Sequence, residues 1–229
     1  MSSVNEWVVR EYFEALGYLV IQPCKYIPSG RPKKIEEEID LVVFNPLVTE
    51  PVRSERMVWT GDDLRGVPRA VVSVYGWHTD RFTPAMLERI PEILRFASEE
   101  SLRHAERLAG TRELARILCL PQLPASDVLR ENTLTMLRQK GVDGVLLFRT
   151  MLLELIDSVD KNRNYEKSDL LQIIRILKNY NLLKDRQLEL FGRKRRARSA
   201  IARESEPVPE APPEATPDAG TVSDSPAEE

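Results

Sequence analysis

The sequence predicts a mixed α/β sandwich, in which a sheet of parallel and antiparallel strands carries helices on its faces. Three early apolar segments, residues 18–21, 38–44 and 69–74, follow one another as strands, and this favours a meander. Two later apolar segments, residues 114–120 and 142–148, flank a helical stretch. A strand–helix–strand crossover of this kind favours parallel pairing with helices over the sheet.

The first predicted helix runs from Val4 to Leu16. Its apolar side chains recur mostly at intervals of three and four residues, which is typical of an amphipathic helix. Ser2 or Ser3 can cap its start. The later helices are predicted over residues 83–108 with a break at Pro91, and over residues 126–140, 150–159 and 165–183.

Residues 47–66 are polar and irregular, which predicts a long loop or a ragged hairpin with Trp59 at its centre. The complete element order is then α-β-β-β-α-β-α-β, followed by helices. We expect three regions, namely an α/β core over residues 1–150, C-terminal helices packed on it over residues 151–190, and a tail over residues 191–229.

Composition separates the tail from the body. The net charge is −3, but residues 203–229 hold eight acids, one arginine and six of the sixteen prolines, so we expect an acidic, disordered tail. Residues 1–202 then carry a charge of +4, which is compatible with a nucleic-acid partner without demanding one. Cys24 and Cys119 could pair, but their positions beside strands favour buried free thiols in a reducing cytosol.

Membrane and secretory classes are not expected. No apolar run approaches the roughly 20 residues that span a bilayer. The first residues lack a basic segment followed by an apolar run, which predicts no secretory signal and, with the cysteines, a cytoplasmic protein.

A set of short motifs accompanies this element order. Asn5-Glu6 precedes the segment Val9 to Tyr18, Glu38-Ile39-Asp40-Leu41-Val42 opens the second strand, and the apolar strand Arg69 to Val74 follows about thirty residues later. In their order and spacing, residues 4–150 resemble the PD-(D/E)XK nuclease superfamily, in its restriction-endonuclease-like and Holliday-junction-resolvase-like branch. The resemblance implies a restriction-endonuclease-like α-β-β-β-α-β-α-β core with C-terminal helices.

In that family, a helix carboxylate, a strand-two Asp and a strand-three Glu hold Mg²⁺, which activates water and stabilises phosphodiester charge. A Lys two residues after the Glu lies on the same strand face. By resemblance, Glu6 matches the helix acid and Asp40 the strand-two Asp. Ser73 stands where the Glu is expected and Tyr75 where the Lys is expected. No acid-x-Lys pattern occurs between residues 69 and 77, so a shift in register does not restore it.

A serine hydroxyl replaces a metal-binding carboxylate poorly, and a phenol with a pKa of about 10 supplies no positive charge. The resemblance therefore implies a member that has kept the fold and lost hydrolysis, and that serves as a nucleic-acid-binding or structural module with no cofactor. Glu6 and Asp40 are metal ligands only if a Mg²⁺ site is retained.

Two alternatives stay open. The first is an active Mg²⁺-dependent nuclease with relocated catalytic residues, for which the candidates are Lys25, Arg69, His78 and Asp80. The second is an assembly factor that forms a homodimer or binds another protein through its C-terminal helices.

Candidate contacts to DNA or RNA are basic and aromatic, because such groups bind phosphates and stack on bases. They are Lys25, Arg69, Trp77, His78, Arg193, Lys194, Arg195 and Arg196. Trp77 and His78 can instead anchor a packed loop, and the basic run can pair with the acidic tail. Asp40 can form a structural pair with Arg10 or Lys25.

Overall fold

A six-stranded mixed sheet forms the centre of the structure, a computed structural model that describes residues 4–23, 38–52 and 54–183. The strands are β1 (Leu19–Ile21), β2 (Leu41–Phe44), β3 (Val58–Trp59), β4 (Arg69–Val74), β5 (Ala115–Leu120) and β6 (Gly144–Leu147). Their order in the sheet is β1-β2-β4-β5-β6-β3. β1, β2 and β4 pair antiparallel, whereas β4, β5, β6 and β3 pair parallel. The predicted α/β class, meander and parallel crossover are confirmed.

Helices lie on both faces of this sheet. They are α1 (Val4–Ala15), α2 (Gly61–Leu64), α3 (Pro84–Arg89), α4 (Glu99–Ala109), α5 (Asp127–Gln139), α6 (Phe148–Ser158) and α7 (Asp169–Asn179), with a 3-10 helix over Pro91–Ala97. One apolar core joins α1, α6 and α7 to the sheet, and a second joins the 3-10 helix, α3, α4 and α5 to the other face. The predicted break at Pro91 is confirmed, because α3 ends there and the 3-10 helix begins.

Residues 47–66 differ from the predicted loop or hairpin. They contain β3, whose Val58 and Trp59 pair in parallel with Val145 and Leu146 of β6. The indole of Trp59 covers Gly144 so closely that a Cβ atom there would lie 2.2 Å from the ring. β3 can therefore pack against β6 because Gly144, which is distant in sequence, has no side chain.

The last helix starts later than its apolar pattern predicts. α7 begins at Asp169 because Ser168 caps it: the Ser168 hydroxyl accepts the Leu171 N–H at 3.3 Å. The same hydroxyl donates to the buried Glu11 carboxylate of α1 at 2.6 Å. The cap thus also ties α7 to α1.

Cys119 is a buried free thiol, as expected, and burial raises its pKa. Cys24, the basic run and the acidic tail lie outside the described residues. Within the described ranges, no helix is both long enough and apolar enough to cross a membrane.

Two buried tyrosines join α1 and its following turn to other elements. Tyr12 donates to the Glu154 carboxylate at 2.6 Å, and this carboxylate also accepts the Gly61 N–H at 3.0 Å. The Tyr18 hydroxyl reaches the Leu64 and Val67 carbonyls at 2.5 and 2.7 Å. Burial raises the pKa of Tyr18 to about 12, and burial with the Glu154 carboxylate raises the pKa of Tyr12 still further.

We expect the free energy of unfolding to fall as the pH rises above about 10. Tyrosines in the unfolded chain lose their proton near pH 10, whereas folded Tyr18 keeps its proton up to about pH 12. Between these values the folded state binds more protons, so its stabilisation is full below pH 10 and is lost as the pH rises. Urea unfolding at a series of pH values measures this loss.

Tyr18→Phe is expected to make the alkaline fall shallower. Tyr180→Phe is the matched control, because Tyr180 is 75% exposed and is expected to leave the profile unchanged. A wild-type profile that stays level across this range would contradict the assignment.

Candidate functional site

Asp40 stands directly before β2, and its carboxylate binds the end of β4. Since Leu41 pairs with Val72 in the antiparallel ladder, Asp40 lies across from Ser73. The Oδ2 atom of Asp40 accepts hydrogen bonds from the Ser73 hydroxyl at 3.2 Å and from the Val74 N–H at 2.7 Å. The backbone N–H of Asp40 donates to the Val72 carbonyl at 3.1 Å. The side chain and the backbone of Asp40 together hold the start of β2 against β4.

Tyr75 occupies the strand face that Ser73 shares, two residues further along. Its hydroxyl donates to the Glu92 carbonyl of the 3-10 helix at 3.2 Å. Burial raises the pKa of Tyr75, and the nearby Asp40 and Glu38 carboxylates raise it further. The phenol is therefore neutral at physiological pH and provides no positive charge for a phosphate.

Glu38, which heads the strand-two motif, is buried beside an arginine. Its Oε1 atom lies 3.6 Å from the Arg95 guanidinium, which also contacts the Glu92 carboxylate at 3.4 Å. The motif order does not single out Arg95, because the arginine lies on the 3-10 helix, far from the strand in sequence. The pair places a charge-balanced acid on the Tyr75 side of the sheet.

The start of α1 abuts the loop that follows β4. A Cβ atom on Gly76 would lie 1.7 Å from the Asn5 amide nitrogen, so only glycine permits this approach. Asn5 Oδ1 lies 2.8 Å from His78 Nε2, and the His78 ring packs edge-on against Phe148. His78 therefore holds the start of α1, α6 and the loop together. The His78 side chain is itself exposed.

Glu6, one residue after Asn5, accepts a hydrogen bond from the Gln22 side chain at 2.9 Å. Gln22 directly follows β1, so Glu6 connects α1 to the outer strand of the meander. The hydrogen bond from Gln22 is one of the interactions that the Glu6 carboxylate makes. Arg10, a predicted partner of Asp40, instead pairs with Glu14 at 2.9 Å.

These residues do not fit a Mg²⁺ centre of the implied kind. Across residues 4–23, 38–52 and 54–183, no group of three or more His, Cys, Asp or Glu side chains is arranged to hold a metal ion. The residue opposite Asp40 offers a hydroxyl, and Asp40 Oδ2 already accepts two hydrogen bonds. A hydroxyl is a weaker ligand for this hard cation than a carboxylate.

An aromatic and basic concave surface lies just beyond β4. The Trp77 ring is 40% exposed, lies parallel to Phe82 at 6.1 Å between centroids and meets Tyr75 edge-on at 5.4 Å. We call the adjoining concavity of about 490 Å³ the Trp77 surface. Its lining residues are Trp77, Asp80, Arg81, Thr83, Met86, Arg89 and Ile90.

Sequence reasoning selected Trp77 but missed Arg81 and Arg89. Both arginines are exposed, and neither forms an ion pair with a described carboxylate. Thr83 caps α3 by accepting the Met86 N–H. This cap fixes the start of the helix, which follows Arg81 and ends at Arg89. The cap and the adjacent tryptophan together are the sequence signal that could have identified them.

Of the described basic candidates, Arg69 is not brought to this surface. Arg69 is the first residue of β4, at the opposite end from Trp77, and its guanidinium lies 4.4 Å above the Phe44 ring. The other basic candidates, Lys25, Arg193, Lys194, Arg195 and Arg196, lie outside the described residues.

No family model, no curated protein and no solved structure shows a significant match to this chain.

We expect Asp40→Ala to lower the free energy of unfolding by about 2 kcal/mol, because hydrogen bonds to charged groups are worth roughly 1.5–3 kcal/mol. The change leaves the Ser73 hydroxyl and the Val74 N–H without this acceptor. Asp40→Asn keeps one acceptor oxygen and should lose about half as much. Urea unfolding measures both effects.

Glu131→Ala, on the exposed surface of α5, is the control and should change stability little. If Asp40→Ala unfolds at the same urea concentration as the wild type, the carboxylate has no structural role in this position.

Proposed function

We propose that this chain is a nucleic-acid-binding module with a nuclease-like fold that does not hydrolyse phosphodiesters. The observation that carries the proposal is the hydrogen bonding of Asp40 to Ser73 and to the Val74 N–H. The resemblance assigns metal binding to these two strand positions. Here the carboxylate joins two strands, and its neighbour is a hydroxyl.

The element order supports a restriction-endonuclease-like core within this proposal. The predicted strands β1, β2, β4, β5 and β6 occur in the expected succession, with the antiparallel meander next to the parallel crossover. The additional strand β3 extends the far edge, beside β6. β3 therefore does not pair with β4, whose C-terminal end holds Ser73.

The Trp77 surface supports the binding half of the proposal. An exposed tryptophan face can stack on a nucleobase, and nearby arginines can neutralise phosphates. Arg81, which precedes α3, and Arg89, the last residue of α3, are exposed and line the Trp77 surface. Such a surface recognises a flexible strand by stacking and charge, with little dependence on base sequence.

We expect the full chain to bind a fluorescently labelled single strand in a salt-sensitive manner, measured by fluorescence anisotropy at about 50 mM and about 200 mM salt. Trp77→Ala should weaken binding about tenfold or more, since one base stack is worth roughly 1–3 kcal/mol. Replacing both Arg81 and Arg89 with Gln should lower the salt slope by about 1.4 for a single strand.

Arg163→Gln is the control for loss of an arginine charge elsewhere on the surface, because Arg163 is 78% exposed on the α6–α7 turn and should not affect binding. Absence of binding to DNA and RNA at low salt removes the binding half of the proposal. Cleavage of single-stranded, duplex or branched substrates with Mg²⁺ or Mn²⁺, abolished by Asp40→Asn, would establish the active nuclease instead.

A second candidate function, assembly with another copy of the chain, rests on the exposed face of α7. Ile173, Ile176 and Tyr180 are 50%, 45% and 75% exposed. Their spacing of three and four residues places them on one helical stripe. Exposed apolar stripes are typical of surfaces that meet another protein.

If this stripe forms a homodimer, sedimentation of the full chain should show mass doubling as concentration rises, and Ile176→Glu should keep the chain monomeric. Val128→Glu is the control, because Val128 is a 70% exposed apolar residue on a different helix, α5. A wild-type chain that remains monomeric at millimolar concentration rules out this dimer.

A further inference from the structure

A second, larger concavity lies at the opposite end of β4 from the Trp77 surface. It encloses about 840 Å³, within the range of small-molecule sites, and we call it the Arg69 cavity. Its floor is the start of β4 and β5. Its walls are residues 51, 52, 54 and 55 of the loop before β3, the turn at residues 66–68, and residues 138 and 141–143.

Hydrogen bonds hold these walls in place. The Val52 N–H donates to the Gly66 carbonyl at 2.8 Å, and the Arg138 guanidinium donates to the Glu55 carbonyl at 3.1 Å. A Cβ atom on Gly66 would lie 2.7 Å from the Val52 side chain, so glycine is needed for the loop to approach. The cavity is therefore formed before any ligand enters.

Among the residues that the structure describes, three arginines and three acids line the cavity, and one arginine–acid pair neutralises itself. Arg116 and Asp143 form a two-pronged ion pair, with nitrogen–oxygen distances of 2.9 and 3.3 Å. The other two acids, Glu55 and Glu113, are exposed side chains on the rim, as is Arg138, so water and salt screen these three charges. The half-buried Arg69 is screened less.

Arg69 and Arg138 have no carboxylate partner among the described residues. Arg69 lies over the Phe44 ring, a contact that uses the face of the guanidinium. The N–H donors of a guanidinium lie in its plane, so this contact leaves them available for an anion.

We propose that the Arg69 cavity binds an organic phosphate monoester. A phosphate monoester carries a charge of nearly −2 at pH 7, and the guanidinium N–H groups of Arg69 and Arg138 can form charge-assisted hydrogen bonds with it. The apolar lining of Pro51, Val52, Pro68, Leu114 and Val142 fits a ring or other apolar body attached to the phosphate. The volume exceeds what a free phosphate ion needs.

This site is separate from the nucleic-acid-binding proposal. Arg69 and Val74 are the two ends of β4, and a six-residue strand spans about 20 Å. A small ligand in the Arg69 cavity therefore does not reach Trp77.

The test uses AMP as the probe and isothermal titration calorimetry of the full chain. AMP is expected to bind, and adenosine, which lacks the phosphate, is expected to bind at least tenfold more weakly. Arg69→Gln and Arg138→Gln should each weaken AMP binding about tenfold or more, because each removes a charge-assisted contact. Arg138 is an exposed side chain, so its variant tests the site even if Arg69→Gln does not fold.

Two controls separate this site from the rest of the molecule. Arg163→Gln removes an exposed charge elsewhere, and Trp77→Ala removes the base-stacking surface; both should leave AMP binding unchanged. Loss of AMP binding in Trp77→Ala would place the nucleotide on the Trp77 surface and overturn the proposal. Equal binding of adenosine, or binding of benzoate as tight as that of phenyl phosphate, would overturn the phosphate assignment.

Discussion

The hydrogen bonds that Ser73 and the Val74 backbone donate to Asp40 hold the start of β2 against the end of β4. A carboxylate beside buried apolar residues is costly without partners, and β4 supplies two donors. The third strand of the meander, β1, pairs in turn with β2. The antiparallel half of the sheet is therefore joined to the parallel half at the point where Asp40 is bound.

This junction also sets the course of the chain after β4. Once Val74 is fixed, Gly76 meets Asn5 at the start of α1, and His78 bonds to the same asparagine. Trp77, between them, turns outward over Phe82. Asp40 thus has a structural role in this position, and the loop after β4 presents an aromatic face to solvent.

β2, β4, β5 and β6 could be predicted because they form mostly buried apolar runs, as in Ala70 to Val72. β1 could be predicted as a short apolar run, although its Leu19 and Ile21 side chains are exposed. β3 could not, because two residues carry no periodicity and their docking depends on Gly144, which is distant in sequence. The start of α7 was missed for a related reason. Its apolar pattern extends back to Tyr165, but Ser168 provides the cap and a bond to Glu11.

The candidate site was partly predictable, since an acid within an apolar strand draws attention to Asp40 and the strand spacing places Ser73 opposite it. Arg69 shows where such reasoning fails. Closeness in sequence suggested a place beside Trp77, but an extended strand separates its two ends, so Arg69 faces another cavity. β4 is paired on both sides, and a shift of one residue would exchange the faces of its side chains. The hydrogen bonds of Asp40 to Ser73 and Val74 oppose that shift. The fixed strand thus separates the Arg69 cavity at one end of β4 from the Trp77 surface at the other.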